Sequence, residues 1–202
     1  MKIALIGASG NVGSRVLAEL SSRGHQITAI ARDTARIADL PGVTPIALDM
    51  ADTAALVAAL KGHDVVVSSV HFMVSDPEQL ISAVKSSGVP RYLVVGGAGS
   101  LLVAPGVQLV DTPQFPEAYL PEARAGGVFL DRLRAEKDLD WTFLSPSALF
   151  IPGERTGKFR LGKDDLLTND QGSSISFEDY AIAMADEIET PKHPRERFTV
   201  GY

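Results

Sequence analysis

Apolar residues along the first two-thirds of the chain follow two alternating rhythms. Unbroken runs rich in Val, Ile and Leu recur at Lys2–Ile6, His25–Ala31, Val43–Leu48, Asp64–Val70, Arg91–Gly97 and Asp140–Pro146. Between them lie stretches whose apolar residues return every three or four positions, as at Val12, Val16, Leu17 and Leu20. The first rhythm predicts strands buried on both faces, the second amphipathic helices. Helices are expected over Asn11–Arg23, Asp52–Lys61, Asp76–Ser87, Pro121–Lys137 and Ser176–Glu189. Asp76 before Pro77, and Ser176 before Glu178 and Asp179, are helix-start signals. A last short strand is expected at Arg197–Val200. Strands separated by helices call for a doubly wound parallel sheet with right-handed crossovers. Two stretches break the pattern. Leu101–Tyr119 holds three prolines and little periodicity, and a long irregular segment in a compact domain is usually functional. From Ile151 onwards comes a glycine-rich loop, "PGERTGKFRLGKDD".

The turn after the first strand reads "GASGNVG". Gly7, Gly10 and Gly13 stand three apart, directly before a helix. That context makes a dinucleotide-binding turn: Gly7 for the tight turn, Gly10 for close approach of a pyrophosphate, Gly13 for helix–strand packing. Ser9 lies inside the turn. Helix-terminal N–H groups at Asn11 and Val12 would face the anion. The fold expected is therefore α/β, a Rossmann-like doubly wound parallel sheet with helices on both faces and a small C-terminal, substrate-side extension. One domain is expected over 1–202, with a dinucleotide-binding core at 1–147 and the extension at 148–202.

Composition narrows the function. At 45% apolar and 22% charged residues the chain is an ordinary globular one. A net charge of −6 argues against nucleic acid as a partner. The absence of cysteine removes thiol chemistry and thiolate metal sites, and the four histidines show no metal-ligand spacing. No apolar run approaches membrane-spanning length, and the N-terminus lacks a signal-peptide pattern, so a cytoplasmic protein without a membrane partner is expected. A monomer and a homodimer are both compatible with the sequence.

The second strand ends "AIARD". Its acidic position, which would hold a ribose 2′-hydroxyl, is taken by Ala31, followed by Arg32. A guanidinium suits a 2′-phosphate, with Arg36 as a possible second partner, and this favours NADP(H) over NAD(H). Asp33 could serve a ribose instead, so NAD(H) stays open.

The glycine spacing, together with "VVGGAGSL" (Val94–Leu101), "WTFLSPSALFIPGERTG" (Trp141–Gly157) and "SFEDYAIAMADEIE" (Ser176–Glu189), resembles the atypical short-chain dehydrogenase/reductase family. The likeness is to its NADH-flavin reductase-like and NmrA-like NAD(P)-binding members, near the biliverdin IXβ reductase-like proteins. It runs over nearly the whole chain. The resemblance implies cofactor contacts at successive strand ends: Asp49 and Met50, then Ser68, Ser69 and Val70, then Gly96, Gly97 and Ala98, then Pro146 and Ser147. Ser68 and Ser69 have a competing reading as structural residues.

The family's usual Tyr-x-x-x-Lys pair is missing. Tyr119 is followed four positions later by Ala123, with Arg124 beyond. Without the lysine, Tyr119 has no evident means of becoming a good acid at neutral pH. Ser100 falls near the expected serine, and His71 is a possible proton donor. Hydride transfer to a flavin, quinone or similar conjugated acceptor needs less acid–base machinery. The acceptor pocket is expected from Leu101–Tyr119 and the "PGERTG" loop, with Phe115, Tyr119 and Phe150 for stacking and Arg124 and Arg155 attracting an anion. Phe150 could instead be core, and Arg155 could simply order its loop. An NAD(P)H-dependent reductase is thus expected; the alternative is a non-catalytic NADP(H)-binding redox sensor.

Overall fold

The computed structural model of the chain describes residues 1–202. Its strands are β1 (Lys2–Ile6), β2 (Gln26–Ala31), β3 (Val43–Ala47), β4 (Val65–Ser68), β5 (Arg91–Val95), β6 (Leu102–Ala104), β7 (Val107–Gln108), β8 (Asp140–Pro146), β9 (Leu149–Ile151), β10 (Arg160–Gly162), β11 (Ser174–Ser176) and β12 (Glu196–Gly201). The helices are α1 (Asn11–Ser22), α2 (Thr53–Leu60), α3 (Pro77–Ser87), α4 (Leu120–Ala135) and α5 (Phe177–Glu189). The central sheet has eight strands in the order β10-β12-β8-β5-β4-β1-β2-β3. All its pairings are parallel except β10 with β12. This is the Rossmann-like α/β fold expected from the alternating rhythms.

Each face of the sheet has its own core. On one, Ile3, Leu5 and Val67 pack against Val16, Leu17 and Leu20 of α1 and Tyr180, Met184 and Ile188 of α5. On the other, Ala4, Ile6 and Val66 pack against α2, α3 and α4 through Leu56, Leu80 and Phe129. Both cores draw on the same strands because successive side chains point to opposite faces. The caps read from sequence form: Asp76 accepts from the Glu78 and Gln79 N–H groups, and Ser176 from Asp179. Tyr180 is buried; its hydroxyl donates to the Leu144 carbonyl and accepts from the Gly96 N–H. Burial pushes the Tyr180 phenol well up, so it stays neutral.

The structure departs from the sequence expectation where elements are very short. Leu101–Tyr119 contains the β6–β7 hairpin and two single-turn helices. The glycine-rich stretch contains β10, a strand antiparallel to β12. Parallel β9 and β11 form a separate two-stranded patch. Three-residue strands carry too few positions to show a period.

Going from β3 to β4 the chain crosses back past β2 and β1, so α1 and α2 leave the sheet on opposite faces. The crevice this opens at the carboxyl ends of β1 and β4 is the usual ligand position in such sheets. The turn that floors it depends on a close backbone approach. Gly7 has φ +83°, and a Cβ there would lie 2.1 Å from the Ser69 carbonyl oxygen. A Cβ on Gly13 would lie 2.1 Å from the Gly7 carbonyl oxygen. Gly13→Ala is therefore expected to lower stability by about 2 kcal/mol or more in urea unfolding. Gly127→Ala, whose Cβ would meet nothing within 4 Å, should be neutral or stabilising by up to about 1 kcal/mol.

Candidate functional site

The glycine turn opens into a cavity of about 480 Å³. Gly7, Ser9 and Gly10 form its floor, and Ala31, Arg32 and Arg36 one wall. Asp49, Met50, Ser69, Val70 and His71 close the other side. At Gly10 a Cβ would stand 3.3 Å from the Gly7 carbonyl oxygen, closer than an ordinary van der Waals contact, so glycine keeps this turn tight. No side chain caps the start of α1, which leaves the first-turn N–H groups around Asn11, Val12 and Gly13 without that partner. This cradle fits a pyrophosphate.

The polar walls divide by what they are already bonded to. Arg32 and Arg36 are exposed. The Asp33 carboxylate instead accepts from the Ala35 N–H at 2.9 Å and caps its own turn. The Asp49 carboxylate accepts from the Ala51 N–H at 3.0 Å. Ser68 is buried and bonded to the Tyr92 hydroxyl at 2.8 Å, outside the cavity. Ser69 and Val70 remain at the wall.

A second cavity, of about 580 Å³, lies beside the first. Phe72 lines it, while His71 and Val74 line the other, so one loop serves both. Its walls include Gly96, Gly97, Ala98 and Ser100 after β5, and Pro146, Ser147 and Phe150 after β8. Phe115 and Tyr119 come from the irregular segment. Tyr119 is 66% exposed. Phe150 also packs edge-on against Phe177 at 4.7 Å and against Tyr180, so it is both wall and core. The Ser147 hydroxyl is turned away and donates to the Val200 carbonyl at 3.1 Å. At Gly96 a Cβ would strike the Phe143 ring and the Leu144 carbonyl, whereas at Gly97 the nearest atom is 3.8 Å away.

Two expected residues are not brought here. Arg124 is exposed and lies 3.4 Å from Asp111, outside both cavities. Arg155 makes a two-pronged ion pair with Glu19 of α1, both bonds 2.9 Å. Its partner is Glu19 and not the adjacent Glu154, and the loop that carries it lies outside the cavity. Carboxylates pin that loop: Glu178 accepts from Gly153, and Asp179 from the Thr156 and Gly157 N–H groups. Ser173 and Leu149 stand in the cavity wall in place of this loop.

Sequence reasoning also missed Glu122. It lines the second cavity and accepts from the Phe72 and Met73 N–H groups at 2.7 and 3.0 Å. His71 Nδ1 lies 3.4 Å from the same carboxylate, with the ring 86% exposed. Glu122 and His71 are fifty-one positions apart, and no local pattern joins them. Arg197, which reaches Ser100 from β12, was hidden for the same reason.

A doubly wound sheet with a glycine-floored cavity at its switch point defines a dinucleotide-binding protein. The comparisons with known proteins give the particular family. A family model described as NAD(P)H-binding matches residues 7–191, and the chain belongs to that family. The uncharacterized protein YwnB of Bacillus subtilis is 44% identical, over 99% of this chain and 98% of its own. A solved structure from Bacteroides thetaiotaomicron, provisionally named an epimerase, is 45% identical with a TM-score of 0.95, over 100% of this chain and 96% of its own. Another from Streptococcus pneumoniae, provisionally named an NADH-flavin reductase, is 36% identical with a TM-score of 0.83, over 100% and 99%. No helix of the chain is long and apolar enough to cross a membrane.

The Glu19–Arg155 pair, which lines neither cavity, has a pH signature. Burial acts to raise the Glu19 carboxyl, but hydrogen bonds from Arg155 and Arg23 outweigh it and hold the group below the ordinary carboxylate range. A lowered folded-state value stabilises the protein at neutral pH, and that contribution is lost as pH falls through it. Glu19→Gln should cost about 1–2 kcal/mol near neutrality. The gap from the parent protein should close in acid, read as unfolding midpoints across pH.

Proposed function

We propose that this protein is an NAD(P)H-dependent oxidoreductase that prefers NADP(H) and reduces a flavin, a quinone or a similar conjugated acceptor. The observation that carries the reading is the adjacency of two unlike cavities along one sheet edge. The glycine-floored one, with Arg32 and Arg36, suits the adenosine phosphates. The other, walled by Phe72, Phe115, Tyr119 and Phe150, suits a flat apolar partner. The nicotinamide dinucleotide supplies a hydride when bound. The chain's task is to hold donor and acceptor face to face and keep water out.

On this reading Gly10 and the first turn of α1 receive the pyrophosphate. Asp49, Met50 and Val70 border the adenosine. Gly97, Ala98 and Pro146 border the nicotinamide end. Ser68 and Ser147 contribute their backbone, since other protein groups already hold their hydroxyls. The preference for NADP(H) rests on Arg32 and Arg36 at the wall while Asp33 is bonded to its own turn. The flavin reductase name of the Streptococcus relative supports the acceptor class. The epimerase name of the Bacteroides relative would call for an acid–base pair at the inverted carbon. Here Ala123 stands where a lysine would activate Tyr119.

The same missing lysine favours a second reading, a sensor that binds NADP(H) and leaves it unchanged. The discriminating experiment follows NADPH and NADH absorbance without oxygen while FMN, FAD and a simple quinone are offered in turn. Oxidation well above the protein-free rate supports the reductase; tight binding without oxidation overturns it in favour of the sensor. Arg32→Ala should weaken NADPH binding about tenfold to hundredfold, the worth of a charge-assisted hydrogen bond, and leave NADH binding nearly unchanged. Equal losses for the two would refute the assignment of Arg32.

A further inference from the structure

Five hydroxyl side chains line the second cavity, and their partners set them apart. Thr112 donates to the Leu109 carbonyl and Ser147 to the Val200 carbonyl, so both protons are committed. Ser173 accepts from the neutral Ala148 N–H. Tyr119 projects towards solvent. Ser100 differs, because its oxygen accepts from the Arg197 guanidinium, Nη1 to Oγ 3.3 Å.

Arg197 is an unusual neighbour for a cavity wall. Its side chain is 2% exposed and rises from β12 beneath the β5 and β8 strand ends. Nη1 also donates to Ser145 Oγ at 3.3 Å, and Nη2 to the Ser100 carbonyl at 3.4 Å. On its outer side Nε and Nη2 both donate to Asp164 Oδ1, at 2.8 and 2.5 Å, so the tight ion pair is with that half-exposed carboxylate. Anchored by Asp164, the two terminal nitrogens reach Ser100 at its hydroxyl and its carbonyl through longer bonds of 3.3 and 3.4 Å. Guanidinium carries donors only and keeps its charge. Facing it, Ser100 Oγ can only accept, and this leaves the hydroxyl proton free to turn towards a ligand. A cation on the oxygen also polarises the O–H bond and strengthens it as a donor.

We infer that Arg197 is a positioning residue that commits Ser100 to donate a hydrogen bond into the second cavity, to an oxygen or nitrogen that gains negative charge. This rests on the reductase reading for its role in turnover. There, two electrons and a hydrogen pass as hydride from the dihydronicotinamide to a quinone or flavin. The dinucleotide is oxidised, the acceptor is reduced, and solvent water supplies the remaining proton. Ser100 steadies the anionic acceptor until that proton arrives, a role met elsewhere by preorganised donors at developing oxyanions. The pair thus supplies electrostatic help that Tyr119, lacking its lysine, does not.

The test uses a ligand that needs no turnover. The probe is 4-nitrophenol, whose phenolate has a visible absorption band and mimics the reduced acceptor's oxygen. Titrated with saturating protein, its apparent pKa should fall by about one unit, the scale of one charge-assisted hydrogen bond. Ser100→Ala should abolish the fall and Ser100→Thr should restore most of it. Arg197→Lys, which keeps the charge and loses the fork, should remove at least half. Ser145→Ala takes away the other serine that Arg197 holds and should leave the shift intact. With an acceptor that turns over, Ser100→Ala and Arg197→Lys should lower kcat about tenfold to hundredfold, with KM for NADPH unchanged. No shift in the parent protein, or the same shift in Ser100→Ala, overturns the inference. A Ser145→Ala loss equal to that of Arg197→Lys overturns it too, since Arg197 would then act only by holding the strands. A shift that depends on Ser100 and Arg197, without oxidation of any acceptor, leaves the donor standing and removes the reductase.

Discussion

The site depends on one steric constraint: three backbone segments meet at van der Waals contact where β1 turns into α1. Gly7 leaves no room between itself and Ser69, and Gly13 none between itself and Gly7. Side chains at either position would push the start of α1 away from the strand ends. The cradle for an anion would then lose its floor. Everything further along the sheet edge takes its place from that seam, because β4 and β1 are in register through Ile3–Val65 to Ile6–Ser68. Hydrophobic burial on two faces supplies the stability. The glycine seam decides that the crevice lies open and not filled.

Along this edge, polarity changes with position. Near β2 the wall carries exposed arginines, suited to phosphate. Past β5 it turns apolar and aromatic, with a hydroxyl backed by a buried cation. The loop after β4 joins the two regions. The C-terminal segment contributes mostly from behind: β12 completes the parallel sheet and brings Arg197 under Ser100, while α5 braces α1. The glycine-rich loop before β10 belongs to this bracing, held by Glu19, Glu178 and Asp179.

What could be read from the sequence was what local periodicity and turn chemistry carry. The six long apolar runs became strands, and Gly7 and Gly13 occupy the steric roles their spacing implied. The resemblance of whole motifs added the family, which the match over residues 7–191 shows. What escaped was set by contacts between distant segments. Arg155 reads in sequence either as an anion-attracting residue or as one that orders its loop; it does the second, through a partner 136 positions away on α1 that no local pattern marks. Glu122, Arg197 and the three-residue strands carry no local signal. Ser68 and Ser147 stood at the expected strand ends, but which way a strand-end hydroxyl turns is settled by its neighbours across the sheet.

The Glu122 contact makes the two cavities mechanically one. Its carboxylate, rooted in the first turn of α4, grips two successive N–H groups of the loop that walls both. A bulky guest that pushes α4 outwards would drag Phe72 and Met73 with it and change the width of the neighbouring compartment. A single side chain thus works as a tie rod between the start of α4 and the loop that the two cavities share.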